Sequence, residues 1–68
     1  MTQSQKARRW LTRRGLTVDQ LSEATGFSRE SIYIFLRGGE IGEFPWHRFK
    51  MTCAAVDAQL RTGKRFDW

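Results

Sequence analysis

The segment that most constrains the fold of this chain is residues 16–33, with the sequence LTVDQLSEATGFSRESIY. Thr17 and Gln20 match a capping box, in which a Ser or Thr begins a helix and a Gln or Glu three residues later closes its first turn. Gly26 permits the positive φ of a tight turn, and Ser28 is positioned to cap a second helix. The segment therefore predicts two short helices joined by a glycine turn.

Apolar residues in and after this segment recur at the positions where two crossed helices would touch. A spacing of three and four residues is typical of the buried face of a helix. This pattern assigns the inner face of the pair to Leu21, Ala24, Phe27, Ile32, Phe35 and Leu36. A pair of this kind presents its second helix to the major groove of DNA.

The segments on either side predict two further helices. Residues 3–14 are rich in good helix formers and are followed by Gly15, which suits a left-handed C-cap. Their apolar stripe consists of Ala7, Trp10 and Leu11. Pro45 is favoured at a first helical position and begins the last predicted helix. The apolar stripe of that helix consists of Trp46, Phe49, Cys53, Val56 and Leu60.

These patterns predict one all-α domain over residues 1–68, a compact arrangement of four helices with short connections. We place the helices at about 3–14, 17–25, 28–37 and 45–61, and a C-terminal tail at 62–68. Phe66 and Trp68 in that tail are expected to fold back over the core, with contact to a second subunit as the alternative.

Charge and composition narrow the function classes. Twelve basic and seven acidic residues give a net charge of +5, which favours a polyanionic partner such as nucleic acid, with an anionic membrane surface as the second candidate. No apolar run reaches the ~20 residues that span a bilayer, and the N-terminus lacks a signal-peptide pattern. The single cysteine, Cys53, excludes an internal disulfide, so we expect a reducing, cytoplasmic compartment.

The sequence offers no arrangement typical of an enzyme. It lacks a glycine-rich phosphate loop and any nucleophile accompanied by a base, and Cys53 with His47 alone cannot form a zinc site. Cys53 is expected to be a small buried apolar residue. We therefore expect a protein without catalytic activity, cofactor or metal.

The residues of the helix pair together resemble the phage-repressor/Cro-type helix-turn-helix family. Those that carry the resemblance are Leu16, Thr17, Leu21, Ala24, Gly26, Ser28, Ile32, Arg37 and Gly38, and the likeness extends over residues 4–61. The resemblance implies a lambda-repressor-like fold with a central helix-turn-helix. It also implies binding to an operator in double-stranded DNA, usually as a homodimer, and regulation of transcription as a repressor from a phage or other mobile element.

The same resemblance implies which residues contact DNA. It places residues 28–36 in the major groove and assigns base contacts to Arg29, Glu30, Tyr33 and Ile34. Arginine can donate two parallel hydrogen bonds to guanine, glutamate can accept one from cytosine, and an apolar group can pack on a thymine methyl. The alternatives are an ion pair of Arg29 with Glu30 or Glu23, and a subunit contact for Ile34.

Phosphate contacts are expected on both sides of this helix. The resemblance assigns them to Gln20, Ser28 and Arg37, and positive charge adds Lys6, Arg9, Arg13 and Arg48, with Arg8 and Lys50 as further candidates. Solvated surface charge is the alternative for each basic side chain.

Two positions depart from the family pattern. Val18 stands where the family often has a Gln that contacts phosphate, and it leaves only backbone N–H groups for that role. Leu11 and Leu36 stand where many members have a buried Arg–Glu pair, which predicts an apolar contact there.

Two other functions remain open, namely a DNA-bending excision factor that binds direct repeats, and an antitoxin-like protein-interaction module.

Overall fold

A computed structural model describes residues 2–38, 41–63, 65–66 and 68 of the chain. These residues form four helices and no strand, which confirms the predicted all-α class. The helices are α1 (Gln3–Arg14), α2 (Val18–Thr25), α3 (Arg29–Arg37) and α4 (Glu43–Leu60). The radius of gyration is 11.0 Å, which matches the about 11 Å expected for a compact domain of this length.

Side-chain caps fix the start of the first three helices. The predicted capping box at α2 is present: the N–H of Gln20 donates to Thr17 Oγ1 (3.1 Å), and the N–H of Thr17 donates to Gln20 Oε1 (2.9 Å). A second capping box, which the sequence analysis missed, joins Thr2 and Gln5 at the start of α1. Each cap satisfies backbone donors that have no partner within the helix.

The predicted bounds of α4 are wrong at both ends. The helix begins at Glu43 with Gly42 as its N-cap, so Pro45 is its third residue. A proline is tolerated there because the first turn of a helix does not use its backbone donors. The helix ends at Leu60, one residue before the predicted end, and its C-cap Arg61 adopts the left-handed conformation with a φ of 50°. Gly39, part of the predicted end of α3, lies outside the described residues.

The core is built from the apolar faces of all four helices. Its centre is a stack of the Phe35 and Phe49 rings, whose centroids lie 4.2 Å apart. The fully enclosed part of the core consists of Ala7, Trp10, Leu11, Leu21, Ile32, Phe35, Phe49, Cys53 and Val56. Leu36 and Trp46 are partly buried against this cluster.

Two residues predicted to face the core do not. Ala24 is exposed, because the short helix α2 uses Leu21 as its only fully buried side chain. Leu60 is 38% exposed, since it lies in the last position of α4, beyond the buried residue Val56.

A buried ion pair joins α1 to α4, and the sequence analysis did not predict it. Arg14 donates through Nε to a carboxylate oxygen of Asp57, and the indole N–H of Trp10 donates to the same oxygen at 2.9 Å. Burial by itself would raise the pKa of Asp57, but the hydrogen bonds from Arg14 and Trp10 and the charge of Arg14 together lower it. The carboxylate is therefore held in its charged form inside the fold.

The C-terminal tail packs on this ion pair. Arg14 donates through Nη2 to the carbonyl oxygen of Arg65 (3.0 Å). The rings of Phe66 and Trp68 lie 6.0 and 5.9 Å from the ring of Trp10, and the indole N–H of Trp68 donates to Gln3 (3.1 Å). The expectation that the tail folds back over the core is confirmed. We call the side formed by α1, α4 and the tail the clamp side.

Candidate nucleic-acid interface

The connection between α2 and α3 is a tight turn held by short-range hydrogen bonds. Gly26 has a φ of 80°, a left-handed conformation that suits glycine. The hydroxyl of Ser22 donates to the carbonyl oxygen of Phe27 (2.7 Å), and the N–H of Phe27 donates to the hydroxyl of Thr25 (3.2 Å). Ser22 and Thr25 were not singled out from the sequence, although hydroxyl residues beside a glycine turn are a usable signal.

The side chain of Phe27 anchors the turn to the core. Its ring lies edge-on to Phe35 (6.1 Å) and to Phe49 (5.5 Å). This contact fixes where α3 starts relative to α4. These two aromatic contacts, together with the cap at Ser28, help to position the start of α3.

The four residues expected to contact bases lie together on the exposed face of α3. Ile32 and Phe35 turn the opposite face of this helix into the core, with 0% and 6% exposure. The outward face contains Arg29, Glu30, Tyr33, Ile34 and, one turn later, Arg37. Tyr33 and Ile34 are 47% and 46% exposed, although both are large and one is wholly apolar. This helix therefore presents arginine, carboxylate, phenol and alkyl groups on one surface.

Arg29 forms an ion pair across the turn. Its Nε lies 3.0 Å from a carboxylate oxygen of Asp19 in the first turn of α2, and both side chains are about two-thirds exposed or more. The expected alternative partners were Glu30 and Glu23, so the partner was identified wrongly. The difference arises because the crossing of α2 and α3 brings the start of one helix beside the start of the other. An exposed pair of this kind is worth at most about 1 kcal/mol to stability.

Arginines flank α3 at both ends. At its C-terminal end, Arg37 and Arg8 line one cavity of about 430 Å³ between the ends of α1 and α3. Beside its N-terminal end, Arg48 lines a second cavity of about 350 Å³ together with Phe27. Ser4 in α1 donates to the backbone carbonyl of Phe35 (2.7 Å), which fixes α1 against the last turn of α3.

The other basic candidates are distributed along α1. Lys6 is half-buried, whereas Arg9 and Arg13 are exposed. Arg9 and Arg13 each take part in an interaction of their own. Arg8, a further candidate for phosphate contact, lines a cavity together with Arg37 of α3.

Gln20 and Ser28 already have structural roles. The carbonyl of the Gln20 amide closes the capping box, which leaves its NH₂ group to donate outward. The hydroxyl of Ser28 accepts from the N–H of Ser31 (3.2 Å) and donates to the Ser31 hydroxyl (2.9 Å). A contact from the Ser28 side chain to a phosphate would use the hydroxyl hydrogen, so it would replace the bond to the Ser31 hydroxyl and could leave the capping bond in place.

Groups with other chemistry are sparse in the described part of the chain. Burial raises the pKa of the Cys53 thiol to about 12, so this side chain stays protonated in the core. Among the described residues, no three His, Cys, Asp or Glu side chains are grouped closely enough to hold a metal ion. None of the helices in these residues has the length and apolarity to cross a membrane.

The comparisons with known proteins give no match. No protein-family model, curated protein or solved structure resembles the chain closely enough to be matched to it.

Proposed function

We propose that this protein is a sequence-specific DNA-binding regulator of transcription. In this proposal the four helices form a lambda-repressor-like domain, α3 lies in the major groove of double-stranded DNA, and the residues on its outward face read base edges. The protein acts as a repressor: while bound to its operator, it excludes polymerase or another regulator from the overlapping DNA.

The observation that carries the proposal is the outward face of α3. A helix that is capped and is anchored by Phe27 presents four chemically different side chains to solvent. Tyr33 and Ile34 are large side chains that lie outside the core and remain exposed. Such a face suits the major groove, where each base pair presents a distinct pattern of donors, acceptors and methyl groups.

Charge supports the same reading. The net charge of +5 favours contact with phosphates, and Arg37 with Arg8 and Arg48 lie at the two ends of α3. A helix in the major groove has phosphates along both edges of the groove, so basic side chains at both of its ends are suitably placed.

The test is selection of a binding site from a pool of random duplexes. We expect a single winning sequence that binds at least ~10³-fold more tightly than a scrambled duplex at the same salt concentration. A palindromic winner indicates a dimer on a two-fold operator, and direct repeats indicate the excision factor instead. Equal, salt-sensitive binding to all duplexes, or no duplex binding at low salt, would refute the proposal and direct attention to a protein partner.

Two arginine substitutions separate base contact from phosphate contact. Arg29→Ala should lose about 1–3 kcal/mol of discrimination at one base pair of each half-site and leave the other positions unchanged. Arg37→Ala should weaken binding to all duplexes about equally and reduce the slope of log K against log salt by about one. If both variants changed only the salt slope, α3 would lie along the phosphates and not in the groove.

A further inference from the structure

We propose that Asp19 is a specificity-determining residue, which holds Arg29 in the orientation that reads a guanine. The inference rests on the proposed function, because it concerns the base that Arg29 contacts. Asp19 belongs to α2 and lies outside the group of residues that the helix-turn-helix resemblance assigns to DNA contact. Its role would be to position Arg29, and it would not itself contact a base.

The geometry of the pair leaves one edge of the guanidinium available. A carboxylate oxygen of Asp19 lies 3.0 Å from Nε of Arg29, so the carboxylate occupies the Nε side of the guanidinium. The two Nη groups form the other edge, and a planar guanidinium presents them as a rigid fork. This fork matches the O6 and N7 acceptors of guanine in the major groove.

The pair also fixes a side chain that would otherwise move freely. Arginine has many rotamers, and ordering them costs binding free energy when DNA is contacted. Arg29 is 67% exposed, so packing does little to restrain it. The carboxylate of Asp19 supplies that restraint before binding, which favours the base geometry over a loose contact with a phosphate.

The charge of Asp19 favours its own helix, because it lies in the first turn of α2, but it would oppose binding to DNA. Its side chain is 71% exposed beside the start of α3, on a chain with a net charge of +5. A free carboxylate at this position would repel the DNA phosphates, and an exposed ion pair contributes little to stability. Pairing with Arg29 removes most of the repulsion and also lowers the attraction of Arg29 for phosphate. Both effects favour readout of a base by this arginine.

The experiment measures the affinity of Asp19→Asn and of the unmodified chain for three kinds of duplex. These are the selected duplex, its three variants at the base pair that Arg29 contacts, and a scrambled duplex. We expect discrimination for guanine to fall by about threefold to fivefold, because the exposed pair is weak, while binding to the scrambled duplex strengthens by about twofold because a negative charge is lost. Glu23→Gln is the matched control, since it removes one exposed negative charge four residues further along α2 and should leave discrimination unchanged.

Two further variants test whether Asp19 acts through Arg29. Asp19→Glu retains the carboxylate and should retain most of the discrimination. In an Arg29→Ala background, Asp19→Asn should have no additional effect at that base pair. Circular dichroism and thermal unfolding of each variant show that α2 is intact.

The outcomes separate this inference from the proposed function. If the unmodified chain prefers a guanine at this position and Asp19→Asn keeps that preference, the inference is wrong and the proposed function stands. A uniform loss of affinity for all duplexes in Asp19→Asn would also overturn it, because that result indicates a structural role. If the unmodified chain shows no preference between the selected and scrambled duplexes, the proposed function itself fails, and the inference fails with it.

Discussion

Two regions of this molecule are held together by hydrogen bonds of different range. One is α2, the turn at Gly26 and α3, which we call the helix-turn-helix unit, and the other is the clamp side. In the unit, the capping and turn bonds join residues no more than five positions apart, such as Thr17 with Gln20 and Ser22 with Phe27. On the clamp side, the bond from Arg14 to Asp57 spans 43 positions, and the bond from Trp68 to Gln3 spans 65.

The two regions therefore contribute differently to stability and to function. The shape of the unit depends on its helix caps, its turn and the buried face of α3. The outward face of α3 therefore contributes little to stability. The clamp side supplies the buried charge and aromatic contacts that close a small domain. We therefore expect substitutions on the clamp side to change stability most, and substitutions on the outward face of α3 to change function most.

The largest effect is expected from Asp57→Ala. This variant leaves the charge of Arg14 buried without a partner, which costs about 3–5 kcal/mol of unfolding free energy. Urea unfolding measures the loss. The double variant Arg14→Met with Asp57→Leu is the control. It should recover part of the stability, because an apolar pair can replace a buried ion pair but leaves the indole N–H of Trp10 without its acceptor. Equal losses in both variants would show that packing, and not the charge, is what matters at this site.

Acid should weaken the same contact without removing the side chain. The pKa of Asp57 is lowered in the fold, so its contribution is fully present above its ordinary pKa of about 3.9 and is lost as pH falls through the lowered value. Unfolding free energy measured from pH 7 to pH 2 should therefore decrease below about pH 4. Asp57→Asn should show a shallower decrease, and identical pH profiles would contradict the assignment.

A smaller effect is expected from the tail aromatics. Trp68→Ala removes ring contacts with Trp10 and Phe49 and the hydrogen bond to Gln3, and should cost about 2 kcal/mol, since the indole is only partly buried. Phe44→Ala is the matched control, because that ring is 88% exposed and its loss should change stability by less than about 0.5 kcal/mol. Thermal unfolding of the two variants distinguishes a packed tail from a loose one.

The smallest effect on stability is expected within the helix-turn-helix unit. Ser28→Ala removes the cap of α3 and should cost about 1 kcal/mol in chemical unfolding. Tyr33→Ala, on the outward face, should leave stability within about 0.5 kcal/mol of the original. A loss for Tyr33→Ala as large as that for Ser28→Ala would mean that the outward face does contribute to the fold, which would blur the comparison.

The parts of the fold that could be predicted are those with local signals. The capping box at Thr17, the left-handed Gly26 and the buried stripe on α3 each depend on residues a few positions apart. The start of α4 was misplaced because proline is acceptable at several positions of the first turn of a helix, so Pro45 did not mark the first residue. Exposure of Tyr33 and Ile34 was also predictable, since the period of α3 places them opposite the face formed by Ile32 and Phe35.

The candidate site was predicted less completely than the helices. The outward residues of α3 follow from periodicity, but the partner of Arg29 does not. Asp19, Glu23 and Glu30 are all acidic and close in sequence, and only the crossing of α2 and α3 selects Asp19. The same holds for Arg8, which lines one cavity together with Arg37. The direction in which α1 packs on α3 determines which arginine of α1 lines that cavity.

The number of helices, the position of the turn and most of the residues in the core are predictable from the sequence. These features depend on backbone caps and on the period of apolar residues, both of which act over a few positions. Folding in three dimensions is what buries Arg14 together with Asp57 and brings Asp19 to Arg29. The free energy of a charge depends on its burial and on neighbours brought close by folding, and neither can be read from spacing along the chain.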